Sequence, residues 1–277
     1  MVPAKRTLAI VALTTTLMSC SARMVPASTP TPPVALKLFA TTATLPLVTD
    51  LTTAYSEANP LVTFETRSGN YQTMLDRLNA GDTPYFISNH LPPDSPLWAA
   101  PLGQDAIAII VHPLVNTRSL TTVQLRDIYQ GRITNWNIFG EASQDIVVIS
   151  REDGSGTRAE FERLVMGQRL TTPNARIAPS SVSVVESVAA VPGSIGYVSM
   201  SHLNNEIRAL AIDGVLPTLE TVSQNRYPLR ATLYVVGLQP PEGDYLRLIA
   251  WMQSPEGQAV LSQRYAPLAD LLSLPTP

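Results

Sequence analysis

Cysteine is almost absent from this chain: Cys20 is the single thiol in 277 residues. Internal disulfides and multi-thiolate metal sites are thereby excluded. Charge is scarce as well, at 15% of residues, where an average soluble domain carries about 25%. The 19 basic and 22 acidic side chains leave a net charge of −3, so the concentrated basic excess of nucleic-acid binders is missing and no nucleic-acid partner is expected. The three histidines, His90, His112 and His202, lie far apart without ligand spacing. They are read as surface or hinge residues, with no metal site and no cofactor expected. Glycine, at 14 residues, is outnumbered by 24 prolines without a three-residue period, which means many turns and no collagen helix. What is plentiful is hydrophobic surface, 45% of the chain. That rules out global disorder, and the length admits one large domain or two modest ones.

The first residues read as an export signal. Lys5 and Arg6 precede an apolar run from Leu8 to Met18, too short for a bilayer span of about 20 residues and suited to a secretory signal. The run closes on Leu17-Met18-Ser19-Cys20, which resembles the lipobox of bacterial lipoproteins. Residues 1–19 are then a signal peptide and Cys20 the lipid-attachment site, the alternative being a buried free thiol. Residues 20–33, rich in Ser, Thr, Ala and Pro, read as a flexible tether.

From Val34 onward one arrangement occurs three times. An apolar run at Val34–Phe39 meets the small, hydroxylic stretch Ala40-Thr41-Thr42-Ala43-Thr44, after which Leu47, Leu51 and Tyr55 recur at helical spacing. Leu61–Phe64, the turn Arg67-Ser68-Gly69-Asn70 and the stripe Tyr71, Met74, Leu75, Leu78 repeat it, ending at Gly81. Ile146–Ser150 leads into Arg151-Glu152-Asp153-Gly154-Ser155-Gly156-Thr157, then Phe161, Leu164 and Val165, ending at Gly167.

Each turn is both an ordinary N-cap and a ready anion site, because the first N–H groups of a helix lack intrahelical partners and carry the positive end of the dipole. The third turn favours the anion reading. It sets an arginine, a permanent planar fork for oxyanions, just ahead of Ser155-Gly156-Thr157. The segment lacks the order of a nucleophile elbow and the Gly-Lys-Ser/Thr of a P-loop. Neither hydrolase nor NTPase is indicated.

The segment from Arg151 to Arg158, with Phe161-Glu162 following, resembles the arginine-then-SGT motif of the phosphate-binding proteins that serve ABC phosphate importers. Tyr129–Trp136, Gly193–Val198, Asp213–Thr218, Tyr227–Arg230 and Ser254–Gln258 resemble further stretches of that family in the same order, over about residues 36–268. The resemblance implies an α/β architecture of two domains with ligand in the cleft between them, the type II periplasmic-binding-protein fold. Residues 34–111 and 206–277 would form a discontinuous domain one, and 112–205 domain two. It also implies a binding site made of Thr41 and Thr42, of Ser68 and Gly69, and of Arg151, Ser155, Gly156 and Thr157.

Asn89 stands where the best-known phosphate binders have an aspartate. A carboxylate there accepts the proton of hydrogenphosphate and repels sulfate, whereas an amide offers either an acceptor or a donor. Arg67 is placed to reach the anion or to pair with a carboxylate, and Arg158 to pair with Glu162 at i, i+4. Trp98, Trp136 and Trp251 read as packing residues. The function implied is a monomeric, lipid-anchored receptor outside the cytoplasm, in a periplasm or at a cell surface. It captures inorganic phosphate, hands it to ABC permease subunits and is not an enzyme. The alternatives are capture of sulfate, molybdate or tungstate, and a sensor or interaction protein that keeps the fold without transport.

Overall fold

The computed structural model describes residues 1–2 and 32–268. The signal peptide, Cys20 and most of the tether fall outside the described residues. From Pro33 onward the chain forms one compact unit.

Its strands are β1 (Val34–Lys37), β2 (Phe39–Thr41), β3 (Val62–Glu65), β4 (Ser68–Gly69), β5 (Tyr85–Ser88), β6 (Trp98–Val111), β7 (Ser119–Leu120), β8 (Val147–Arg151), β9 (Arg176–Ala178), β10 (Ser194–Ser199), β11 (Arg208–Ala209), β12 (Ala211–Ile212), β13 (Arg230–Gly237) and β14 (Ala266–Pro267). The α-helices are α1 (Leu45–Ala58), α2 (Tyr71–Asn79), α3 (Thr122–Tyr129), α4 (Gly156–Phe161), α5 (Ser181–Ala190), α6 (Leu219–Ser223), α7 (Gly243–Gln253) and α8 (Pro255–Leu261).

The main sheet runs β4-β2-β5-β13-β6-β10-β8-β9, with β11 and β14 also paired to β6. Parallel pairs flank both ends, β2 with β4 and β5, and β8 with β9 and β10. Between them β13 and β6 run antiparallel to their neighbours. Every residue of β5 and β10 is buried, as strands covered on both faces must be.

The central element is β6. Its first half, Trp98–Ala106, pairs with β13, and its second half, Ile107–Val111, pairs with β10. The packing changes at the same place. One core gathers Leu36, Leu47, Leu51, Ile87, Leu102, Val235, Leu248 and Tyr265. The other gathers Ile107, Ile109, Leu125, Tyr129, Trp136, Phe161, Tyr197 and Tyr227. Residues Leu210, Ile212, Val222 and Leu229 pack into this second core.

The three strand–turn–helix repeats are present. The first strand differs from its expected single run: β1 pairs in parallel with β3 in a separate ribbon, and β2 enters the main sheet after Leu38. Asn70 caps α2 by accepting from Thr73 N–H at 2.8 Å, and Ser155 caps α4 by accepting from Arg158 N–H at 3.3 Å. Thr44, before α1, makes no such cap; its hydroxyl donates instead to the Ile87 carbonyl at 2.6 Å and pins α1 to β5. Trp136 is buried, and its indole donates to the Gly193 carbonyl at 2.8 Å.

Candidate functional site

Strand β8 delivers Arg151 to its C-terminal end, where only 1% of the side chain is exposed. Burying a guanidinium is costly unless its donors are satisfied. Nε and Nη2 form a fork on the Glu152 carboxylate at 2.8 and 2.9 Å, which fixes the plane of the group. Nη1 donates to Ser181 Oγ at 3.2 Å and Nη2 to Thr42 Oγ1 at 3.1 Å. The backbone is held too: Arg151 N–H donates to Tyr197 Oη, and Arg158 Nη1 donates to the Arg151 carbonyl at 3.0 Å.

These contacts bring together two helix starts. Thr42 belongs to the turn before α1, and Ser181 is the first residue of α5, capped by Ser180. Their hydroxyls lie 3.4 Å apart. The first turns of α1 and α5 therefore meet at the guanidinium, and all three features favour negative charge.

A second cluster surrounds Asn89, which follows β5 and is 1% exposed. Its Nδ2 donates to Asp105 Oδ2 at 3.1 Å and approaches Thr157 Oγ1 at 3.5 Å. Its Oδ1 is buried with no hydrogen-bond partner among the described residues. Asp105 is fully buried near the middle of β6, and its Oδ1 accepts from Ser199 Oγ at 2.9 Å and Met200 N–H at 3.2 Å. Burial pushes the Asp105 carboxyl up to about 7, against those hydrogen bonds.

Of the residues implied by the resemblance, Thr42 and Arg151 share one cluster, and Asn89 and Thr157 the other. Thr41 is buried but turns its hydroxyl to Thr44 Oγ1 at 3.0 Å. Ser68 is exposed, and Gly69 accepts from Thr42 N–H through its carbonyl at 2.8 Å. A Cβ at Gly69 would lie 2.9 Å from the terminal methyl of Met74 and 3.1 Å from the Thr73 methyl, so a side chain there would have to push the start of α2 aside. Ser155 acts as the α4 cap, and Gly156 passes so close to His90 that a Cβ would lie 2.8 Å from its Cβ.

Arg67 is exposed and bonds Glu65 at 2.7 Å, while Arg158 pairs with Glu162 at 2.8 Å and with Asp153 at 2.6 Å. His90 binds Glu160 through Nδ1 at 2.8 Å. His202 lies against the first cluster: burial and the nearby Arg151 charge hold it down to about 4, and its Nδ1 lies 3.1 Å from Ser201 Oγ.

Four residues here were not among the sequence candidates: Glu152, Ser181, His202 and Asp105. The pair Ser180-Ser181 ahead of the apolar α5 is the same hydroxyl-before-helix signature as the other turns and was open to the same reading. Asp105 had a fainter signal, a lone acid leading directly into the apolar run Ala106–Val111.

A family model described as a PBP superfamily domain matches residues 27–261. The phosphate-binding protein PstS of Bacillus subtilis is 27% identical over 250 residues, covering 85% of this chain and 81% of that protein. A solved structure from Clostridium perfringens, described as a putative phosphate ABC transporter substrate-binding protein with bound phosphate, superposes with a TM-score of 0.80 at 27% identity. It covers 84% of this chain and 99% of its own. An ABC-type phosphate transport receptor from Vibrio cholerae shares the fold, with a TM-score of 0.68 at 21% identity over 83% of this chain and 99% of its own. The two-core α/β sheet, the Arg151 turn and these likenesses agree: the chain belongs to the PBP superfamily and has its type II periplasmic-binding-protein fold.

Proposed function

We propose that this protein is an extracytoplasmic receptor that binds inorganic phosphate and presents it to the permease subunits of an ABC importer. The observation that carries this reading is the Arg151 fork, buried and converged on by Thr42 and Ser181 from two helix starts. Such a cluster is built for an oxyanion whose oxygens each need a donor. The unpartnered Asn89 Oδ1 adds one acceptor, which a protonated oxyanion satisfies and a fully ionised one does not. The PstS name of the Bacillus subtilis relative, and the phosphate held by the Clostridium perfringens structure, favour phosphate among the oxyanions.

In this reading Thr41, Thr42, Ser68 and Gly69 come from one lobe and Ser155, Gly156 and Thr157 from the other. The lobes are 34–111 with 206–277, and 112–205, with Leu210–Leu229 packed toward the smaller. Hinged closure over the anion then signals occupancy to the transporter. Cys20 anchors the receptor through acyl chains, with residues 20–33 as its tether, and the protein acts as a monomer.

The test is calorimetric titration of the ligand-stripped protein with phosphate, sulfate, molybdate and tungstate, beside Arg151→Ala. Phosphate binding that Arg151→Ala abolishes is the expected result. Binding of another of these anions in place of phosphate replaces the substrate, and binding of none refutes the receptor.

A further inference from the structure

An amide side chain can exchange its oxygen and nitrogen with almost no change of shape, so its neighbours decide which end points where. At Asn89 the decision falls to Asp105. Both Ser199 Oγ and Met200 N–H donate to Asp105 Oδ1, which fixes the carboxyl and leaves Oδ2 facing Asn89 at 3.1 Å. An ionised carboxylate only accepts. It therefore takes Nδ2, which leaves Asn89 Oδ1 buried with no partner among the described residues.

We propose that Asp105 is a specificity-determining positioning residue, which through Asn89 presents an uncharged acceptor to the bound oxyanion and so demands a proton on that ligand. The inference rests on the oxyanion-receptor reading of the site. Sulfate, which carries no proton near neutral pH, meets an unpaired buried acceptor and is penalised. Discrimination is thus achieved with no charge on Asn89 itself.

The same geometry predicts a reversal. A neutral Asp105 can donate; the Asn89 amide then turns over and offers Nδ2, a donor, to the ligand. Burial places the Asp105 carboxyl close enough to neutrality for mild acid to do this. The other titratable groups near it stay out of the change. Tyr227 and Tyr265 are both pushed far up by burial and remain neutral. His202, reached through Ser199 and Ser201 by contacts of 3.0 and 3.1 Å, is held neutral down to about 4.

The test titrates the full chain and Asp105→Asn with phosphate and with sulfate at pH 8, and then with sulfate alone at pH 6, where sulfate itself does not titrate. Asp105→Asn is expected to bind sulfate about ten-fold tighter or more than the unsubstituted chain, with phosphate weakened by a similar factor. A gain of affinity cannot come from misfolding. The unsubstituted chain is expected to gain sulfate affinity several-fold at pH 6, and Asp105→Asn to stay flat. If phosphate binds, Arg151→Ala abolishes it and sulfate affinity ignores both pH and Asp105→Asn, the inference is overturned while the receptor reading stands. If no oxyanion binds the unsubstituted chain, both fall.

Discussion

Gly156→Ala separates folding from closure. Gly156 opens α4 with an ordinary backbone conformation, so alanine is allowed there, and in a helix it is favoured by up to about 1 kcal/mol. The obstacle is across the cleft: the new Cβ would lie 2.8 Å from His90 Cβ and 3.4 Å from Tyr71 Cβ. Apolar carbons pack at about 3.5–4.0 Å, so the two loops must part by about 1 Å. The bonds between them are the Gln72 N–H to the Gly154 carbonyl at 3.1 Å, Asn89 to Thr157 at 3.5 Å and His90 to Glu160 at 2.8 Å. An added ångström takes them beyond hydrogen-bond range, and with them the donors that must reach an anion from both sides. Losing two such bonds to a charged ligand, at about 1.5–3 kcal/mol each, costs about 3–6 kcal/mol, or about 150- to 25,000-fold in Kd. The assay is phosphate titration together with thermal melting, with and without ligand. Expected are a ligand-free Tm lowered only slightly, because the helix gain offsets part of the lost contacts, and a ligand-induced rise nearly lost. A Kd within three-fold of the unsubstituted chain would refute the reasoning, since it would mean that the loops close without the Gly156–His90 approach.

Glu152→Gln leaves the Arg151 charge without its carboxylate fork, so the ligand-free protein should melt at lower temperature, by about 1–3 kcal/mol given the partial exposure of Glu152. The bound anion then supplies the missing charge, and the phosphate-induced rise in Tm should be larger than in the unsubstituted chain. Asp105 is raised from 3.8 to about 7, so its contribution is fully present below pH 3.8 and lost as pH rises through about 7, amounting to about 4 kcal/mol. Denaturant unfolding of Asp105→Asn between pH 4 and 8 should lack this downward slope. His202 runs the other way: lowered from 6.5 to about 4, it contributes above pH 6.5 and loses that contribution as pH falls toward 4. His202→Gln should therefore flatten the acid side of the same curve by about 2–3 kcal/mol.

The parts of the site that could be read in the sequence are those fixed by local chemistry. A hydroxyl or amide before an apolar helical stripe announces a helix start wherever it occurs, and Asn70, Ser155 and the turn around Thr42 were legible for that reason. Arg151 was legible because it sits directly between a strand and such a start. Glu152 stood in the motif, yet nothing in its spacing says that it folds back on its neighbour's guanidinium. Ser181 carries the local signature, but its meeting with Thr42, 139 residues away, depends on the tertiary fold. Asp105 is the extreme case. Its partners come from two distant segments, Asn89 after β5 and the adjacent Ser199 and Met200 at the end of β10, and only the turn of β6 into the second core assembles them. The break between β1 and β2 was hidden for a similar reason, since one apolar run serves two ribbons with different partners.

The shared strand β6 has a consequence for cooperativity. Its residues supply pairing partners to β13 on one side of Ala106 and to β10 on the other, and its side chains enter both cores. Neither half can be cut free with a complete sheet. Melting one core strips the edge of the other, so the two halves rise and fall together in a single transition.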